Sequence, residues 1–136
     1  HPRLAPPAPR PLIFVDTSVW VAALRGADLR IGERLAQLLD EDEVALAAPV
    51  RIEILAGASR KDGPALRRRL SALPLFFPTE APWTRMEDWV GKAAAGQRFG
   101  MGDLLVAAIA ADHASPVWSL DSDFARMARL GFIQLD

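Results

Sequence analysis

The stretch Leu12-Ile-Phe-Val-Asp16-Thr-Ser-Val-Trp20-Val-Ala-Ala-Leu-Arg25 decides the fold class. Its first four residues form an uninterrupted apolar run, the pattern of a short strand buried on both faces. Asp16 ends the run, Thr17 and Ser18 follow at once, and Ser18–Arg25 reads as a helix stopped by Gly26. A buried strand passing through an acidic turn directly into a helix opens a parallel βα unit.

Working outward, the alternation continues to the end of the chain. Leu29, Ile31, Leu35, Leu38 and Leu39 make a helical stripe closed by the acidic run Asp40–Glu43, and Glu43–Ala47 reads as a second strand. Pro49 suits the first position of the next helix, which Gly57 ends. Asp62–Leu73 places Leu66, Leu70 and Leu73 opposite Arg67, Arg68 and Arg69, and Leu75–Phe77 is a third strand between prolines. Trp83, Met86, Trp89 and Val90 mark an amphipathic helix, while Asp103–His113 is apolar nearly all round and should be buried. Val117–Leu120, a short helix near Asp123–Leu130 and the segment Phe132–Leu135 complete the chain. The expected fold is α/β: a three-layer α/β/α domain over residues 12–136 with a short, mainly parallel central sheet. The Pro-rich residues 1–11 lack an initiator Met and an apolar signal core, and are read as a flexible leader with a cloning remnant.

Composition narrows the chemistry. The 136 residues are 51% hydrophobic and 24% charged, as in an ordinary soluble domain, and charges interrupt every apolar run well short of a membrane span. Absence of Cys removes disulfides and thiolate metal sites, and fits a cytoplasmic location. With His1 and His113 the only imidazoles, a His-rich zinc site is excluded. Any metal must be held by oxygen, which selects Mg²⁺ or Mn²⁺. A net charge of −1 is not that of a bulk nucleic-acid binder, but fourteen of the sixteen basic residues are Arg, which pairs with phosphate in two-pronged fashion. GC-rich coding explains the same bias equally well.

The acidic residues carry the functional reading. Asp16 and Asp121 each follow a strand, so both belong at the carboxyl edge of a parallel sheet, where such folds place their sites. Asp103 opens an apolar helix, Glu53 lies near the start of another, and Asp123 sits two residues beyond Asp121. Asp16, Asp103, Asp121 and Asp123 also suit helix N-caps. Glu53, set between Ile52 and Ile54, is not explained by a cap. Carboxylates gathered within a few Å cannot all remain ionised without a cation. A divalent ion among them activates water and stabilises an in-line phosphoryl displacement. Asp16, Glu53, Asp103 and Asp121 are the candidate ligands, with Asp123 as an auxiliary, and Ser18 and Ser119 would orient them.

Four motifs carry a resemblance: Phe14-Val-Asp-Thr-Ser-Val-Trp20, Arg51-Ile-Glu-Ile-Leu-Ala-Gly57, Gly102-Asp-Leu-Leu-Val-Ala-Ala-Ile-Ala110 and Ser119-Leu-Asp-Ser-Asp-Phe124. In this order and spacing they resemble the PIN-domain ribonucleases, and among them the VapC-type toxins of type II toxin–antitoxin systems. The resemblance spans Leu12 to Asp136. It implies a PIN-like nuclease domain and Mg²⁺- or Mn²⁺-dependent endoribonuclease activity, with ligands at Asp16, Glu53, Asp103 and Asp121. Ser119 stands where the family usually has Thr, a change that keeps the hydroxyl. The resemblance further implies a homodimer neutralised by a cognate VapB-type antitoxin. Trp20, Trp83, Trp89, Phe76 and Phe77 would offer an apolar groove for it. Arg25, Arg51 and Arg98, and the Arg67–Arg69 run, are candidate contacts to RNA phosphates.

Other readings fit less well. A haloacid-dehalogenase-like phosphatase needs an Asp two residues after Asp16, where Ser18 stands, and a receiver domain needs a Lys after its last strand, where none follows Lys92. An RNA-processing PIN nuclease without an antitoxin, and a non-catalytic PIN-like interaction module, remain as alternatives.

Overall fold

The computed structural model describes residues 11–93 and 98–136. The expected leader falls mostly on residues 1–10, outside the described residues; Pro11 is exposed and precedes the first strand. The strands are β1 (Ile13–Val15), β2 (Val44–Ala47), β3 (Leu75–Phe76) and β4 (Val117–Trp118). The helices are α1 (Thr17–Arg25), α2 (Leu29–Asp40), α3 (Ala48–Gly57), α4 (Gly63–Ser71), α5 (Glu80–Lys92), α6 (Met101–Asp112) and α7 (Ser122–Arg129).

Every strand pairing is parallel and the order is β3-β2-β1-β4, so the mainly parallel sheet expected is wholly parallel among its named strands. Parallel neighbours cannot be joined by a hairpin, so helices fill each connection and cover the sheet as an α/β/α sandwich. β1 and β2 are buried along their whole length, which is why they read as continuous apolar runs. Phe14 registers with Ala45, and Ala47 with Phe76, so all four share one face. The two small Ala side chains leave room for the Phe14 and Phe76 rings to meet edge-on at 5.2 Å. His113, at the end of α6, closes over Phe76 at 4.6 Å.

The chain runs outward from β1 to β2 and β3, then crosses back to place β4 on the other side of β1. The sheet therefore has its topological switch between β1 and β4, the place where a crevice opens beyond the strand ends. The C-terminal segment extends this side. Leu135 bridges Val117 in parallel, and Arg34 of α2 holds the end by pairing with Asp136 and lying 4.2 Å over the Trp118 ring.

Helix starts follow local chemistry. Asp16 caps α1, Asp28 caps α2 and Asp121 caps α7, each accepting a backbone N–H. Gly26 ends α1 at φ 64°, a left-handed conformation that favours glycine. Element ends shift by one or two residues from the sequence reading: α1 begins at Thr17, β2 begins at Val44, α4 spans Gly63–Ser71, β3 stops at Phe76, Pro49 is the second residue of α3, Asp103 is the third residue of α6, which stops at Asp112, and β4 stops at Trp118. Strand pairing limits β4, and a strand two residues long leaves little local pattern to read.

Candidate active site

The crevice at the switch point is built around Asp16, the buried charged residue among those described, only 6% exposed. Its backbone N–H donates to the Trp118 carbonyl at 2.9 Å, which ties the ends of β1 and β4 together. Its Oδ2 accepts the hydroxyls of Ser18 and Ser119, each at 2.8 Å. Each serine oxygen in turn accepts a backbone N–H at 3.0 Å, Ser18 from Leu120 and Ser119 from Asp121. A hydroxyl has one hydrogen to give. Both are committed to Asp16, so the pair hold its carboxylate in one orientation and shape the loop carrying Asp121. The orienting role expected of Ser18 and Ser119 thus has a geometric basis.

Asp103, in the first turn of α6, meets Asp121 and Asp123 from the start of α7, with one carboxylate oxygen from each lying within 4.8 Å of the others. Asp103 responds to this setting, its pKa raised from 3.8 to about 6. Burial is the main cause, followed by the carboxylates of Asp16, Asp121, Asp123 and Glu53. Glu53 approaches from α3: its Oε1 lies 3.4 Å from where a Cβ on Gly102 would stand. It is an exposed residue at the rim, not a buried one. The sheet edge therefore collects all five acids from four chain segments, Asp16 deepest and Glu53 and Asp121 exposed.

This donor set fits a hard divalent cation. The atoms that could ligate are all carboxylate oxygens, the chain has no Cys, and His113 lies at the opposite end of α6 from Asp103. The raised Asp103 pKa reflects its burial first and the neighbouring carboxylates second, and a cation would relieve both.

The arginines are placed differently from one another. Arg25 lines a groove of ≈ 450 Å³ between α1, α3 and α4, which Glu53 and Arg69 also line. Arg98 lies beside a smaller cavity of ≈ 180 Å³ with Trp89, Phe99 and Leu104. Arg51 instead donates to Ser71 Oγ at 3.4 Å, tying α3 to α4. The aromatic receiver expected from sequence is not what lines the larger groove. Its apolar wall is Val21, Leu24, Ile54 and Leu66. Trp20 and Trp89 are core, the latter stacked on Phe132 at 4.6 Å, while Trp83 and Phe77 are exposed elsewhere. One residue beside the site was not anticipated: Arg126 pairs with Asp123 across one turn of α7. The i, i+3 spacing of opposite charges after Asp121 was the available signal.

The PIN domain family profile matches residues 13–130. The chain is 30% identical to ribonuclease VapC11 of Mycobacterium tuberculosis over 129 residues, covering 90% of this chain and 96% of that protein. Ribonuclease VapC5 of the same organism is 32% identical over 124 residues, covering 83% and 85%. Among solved structures, the fold is similar to a chain of VapBC-1 from nontypeable Haemophilus influenzae, with TM-score 0.75 at 18% identity, covering 92% of this chain and 96% of that one.

Proposed function

The chain belongs to the PIN-domain family, and on that premise we propose that it is a metal-dependent endoribonuclease, the toxin of a VapBC-type toxin–antitoxin pair. The observation that carries this reading is the convergence of Asp16, Glu53, Asp103, Asp121 and Asp123 on one crevice at the switch point of the sheet. Its curated relatives are named VapC ribonucleases, and solved structures with a similar fold include VapBC-1 and a toxin–antitoxin complex from Klebsiella pneumoniae.

Asp103, Asp121 and Asp123 would hold Mg²⁺ or Mn²⁺ together with Asp16 and Glu53. When bound, the cation supplies positive charge that stabilises the anionic transition state of phosphodiester cleavage and acidifies water. The chain's own residues do the positioning. Ser18 and Ser119 hold Asp16 still, and α6 and α7 present their acids from first turns, where the helix dipole favours negative charge. Arg25 and Arg98, each at the lining of a cavity, would meet RNA phosphates, and Arg51 would do so only by leaving Ser71. The groove between α1, α3 and α4 suits a segment of the cognate antitoxin, since it is apolar on one wall and reaches the site acid Glu53 on another. A homodimer in the cytoplasm completes the reading. Among the described residues no helix is long and apolar enough to cross a membrane.

Asp16→Asn and Asp103→Asn test the site directly. Each is expected to lower Mn²⁺-dependent RNA cleavage at least about a hundredfold while leaving the far-UV circular dichroism unchanged. Full activity in either variant with metal present would overturn the assignment. Growth arrest on induction, relieved by a co-expressed small protein from the adjacent gene, tests the toxin role separately.

A further inference from the structure

Asp123 belongs to the acidic group, yet its carboxylate is already engaged. Arg126 pairs with its Oδ1 from one turn further along α7. The same guanidinium lies 5.0 Å over the ring of Phe99, in the segment leading into α6. Arg126 thus stands between the two helices that supply Asp103, Asp121 and Asp123. Among the described residues no other cation is paired with an acid of the pocket. Both partners are partly shielded, Arg126 at 34% and Asp123 at 27% side-chain exposure, so the pair is firmer than a fully solvated one while the arginine can still swing out.

We propose that Arg126 is an internal counter-ion that competes with the divalent cation for Asp123 and so sets how tightly the pocket holds metal. The inference rests on reading the pocket as a divalent-cation site. Its logic is charge arithmetic. With the pair closed, the unit negative charge of Asp123 is cancelled and the cation feels the remaining acids. With Arg126 neutralised, Asp123 becomes available and the pocket gains one negative charge. The guanidinium already rests over Phe99, so it keeps part of its stabilisation there when Asp123 turns to the cation.

The experiment is a direct Mn²⁺ titration followed by electron paramagnetic resonance, which needs no turnover. It uses the full chain and the variants Arg126→Gln, Arg126→Lys, Asp123→Asn and the double variant Asp123→Asn/Arg126→Gln. A unit charge removed or added a few Å from a divalent ion in a solvent-screened pocket changes affinity about tenfold. Arg126→Gln should therefore bind Mn²⁺ about tenfold more tightly, Asp123→Asn about tenfold more weakly, and the double variant within about threefold of the parent. Arg126→Lys keeps the charge and should stay near the parent. Unchanged or weaker binding by Arg126→Gln overturns the proposal, as does a double variant as weak as Asp123→Asn, which would make Asp123 a plain ligand and Arg126 a bystander. A parent chain that binds no Mn²⁺ fails differently, because it removes the metal reading of the pocket itself.

Discussion

Ser119 does two jobs with one oxygen atom: its hydrogen goes to Asp16 Oδ2 and a lone pair takes the Asp121 N–H. Removing the hydroxyl leaves a buried carboxylate one donor short and frees the loop that carries a second site acid. Ser119→Ala should therefore lower unfolding free energy by about 1.5–3 kcal/mol, the range for a hydrogen bond to a charged group, read by urea titration. It should also weaken Mn²⁺ binding by about 10–100-fold, the usual cost of losing a residue that orients a ligand. Ser119→Thr keeps the hydroxyl and should behave almost as the parent. Equal losses in both variants would show that the site needs the volume of serine and not its hydrogen bonds. This residue was legible in sequence as an orienting hydroxyl. Its partner atom was not, because the bond joins residues 103 positions apart.

At the scale of elements, α6 shows what patterning reveals and what it omits. Its nearly continuous apolar composition marked it as buried, and it packs against α3, α5, α7 and β2. Ala107, Ala108 and Ala110 are wholly inaccessible, so neighbouring elements approach the helix to within the reach of a methyl group. Ala108→Leu inserts three carbons where none fit and should cost about 1–3 kcal/mol or more, seen as a lower urea midpoint with an unchanged slope; parental stability would mean that α6 has slack. Periodicity could not place Asp103 at the third position of α6, since caps are set by backbone geometry that begins upstream of the apolar run. It also could not separate buried Trp20 and Trp89 from exposed Trp83 and Phe77, because all lie in locally amphipathic or apolar surroundings and tertiary packing decides between them. Glu53 was recognised as unusual, but its exposed position at the rim depended on how α3 meets α6.

For the whole molecule, the net charge of −1 conceals an uneven distribution, with five acids at one edge of the sheet and one of them visibly perturbed. The perturbation makes global stability depend on pH in a direction that can be worked out. Asp103 has a folded pKa of about 6 against an ordinary 3.8, so the folded chain holds this proton more tightly than the unfolded chain does. Its stabilising contribution is complete below pH about 4 and is lost as pH rises through about 6. Taken at face value the shift corresponds to about 3 kcal/mol, but solvent reaches this crevice and screening reduces the expectation to about 1 kcal/mol. In metal-free protein, the parent's stability relative to Asp103→Asn should therefore fall by about that amount between pH 4 and 7. Other titrating groups act on both chains and cancel in the comparison. Parallel pH profiles for the two proteins would show that Asp103 is not electrostatically strained. Mn²⁺ at about a hundred times its dissociation constant should stabilise the parent by about 2.7 kcal/mol at pH 7.5 and much less at pH 4.5, where protons occupy the carboxylates the cation requires. The burial and charge repulsion that weaken the empty domain at neutral pH would then be what the ion relieves.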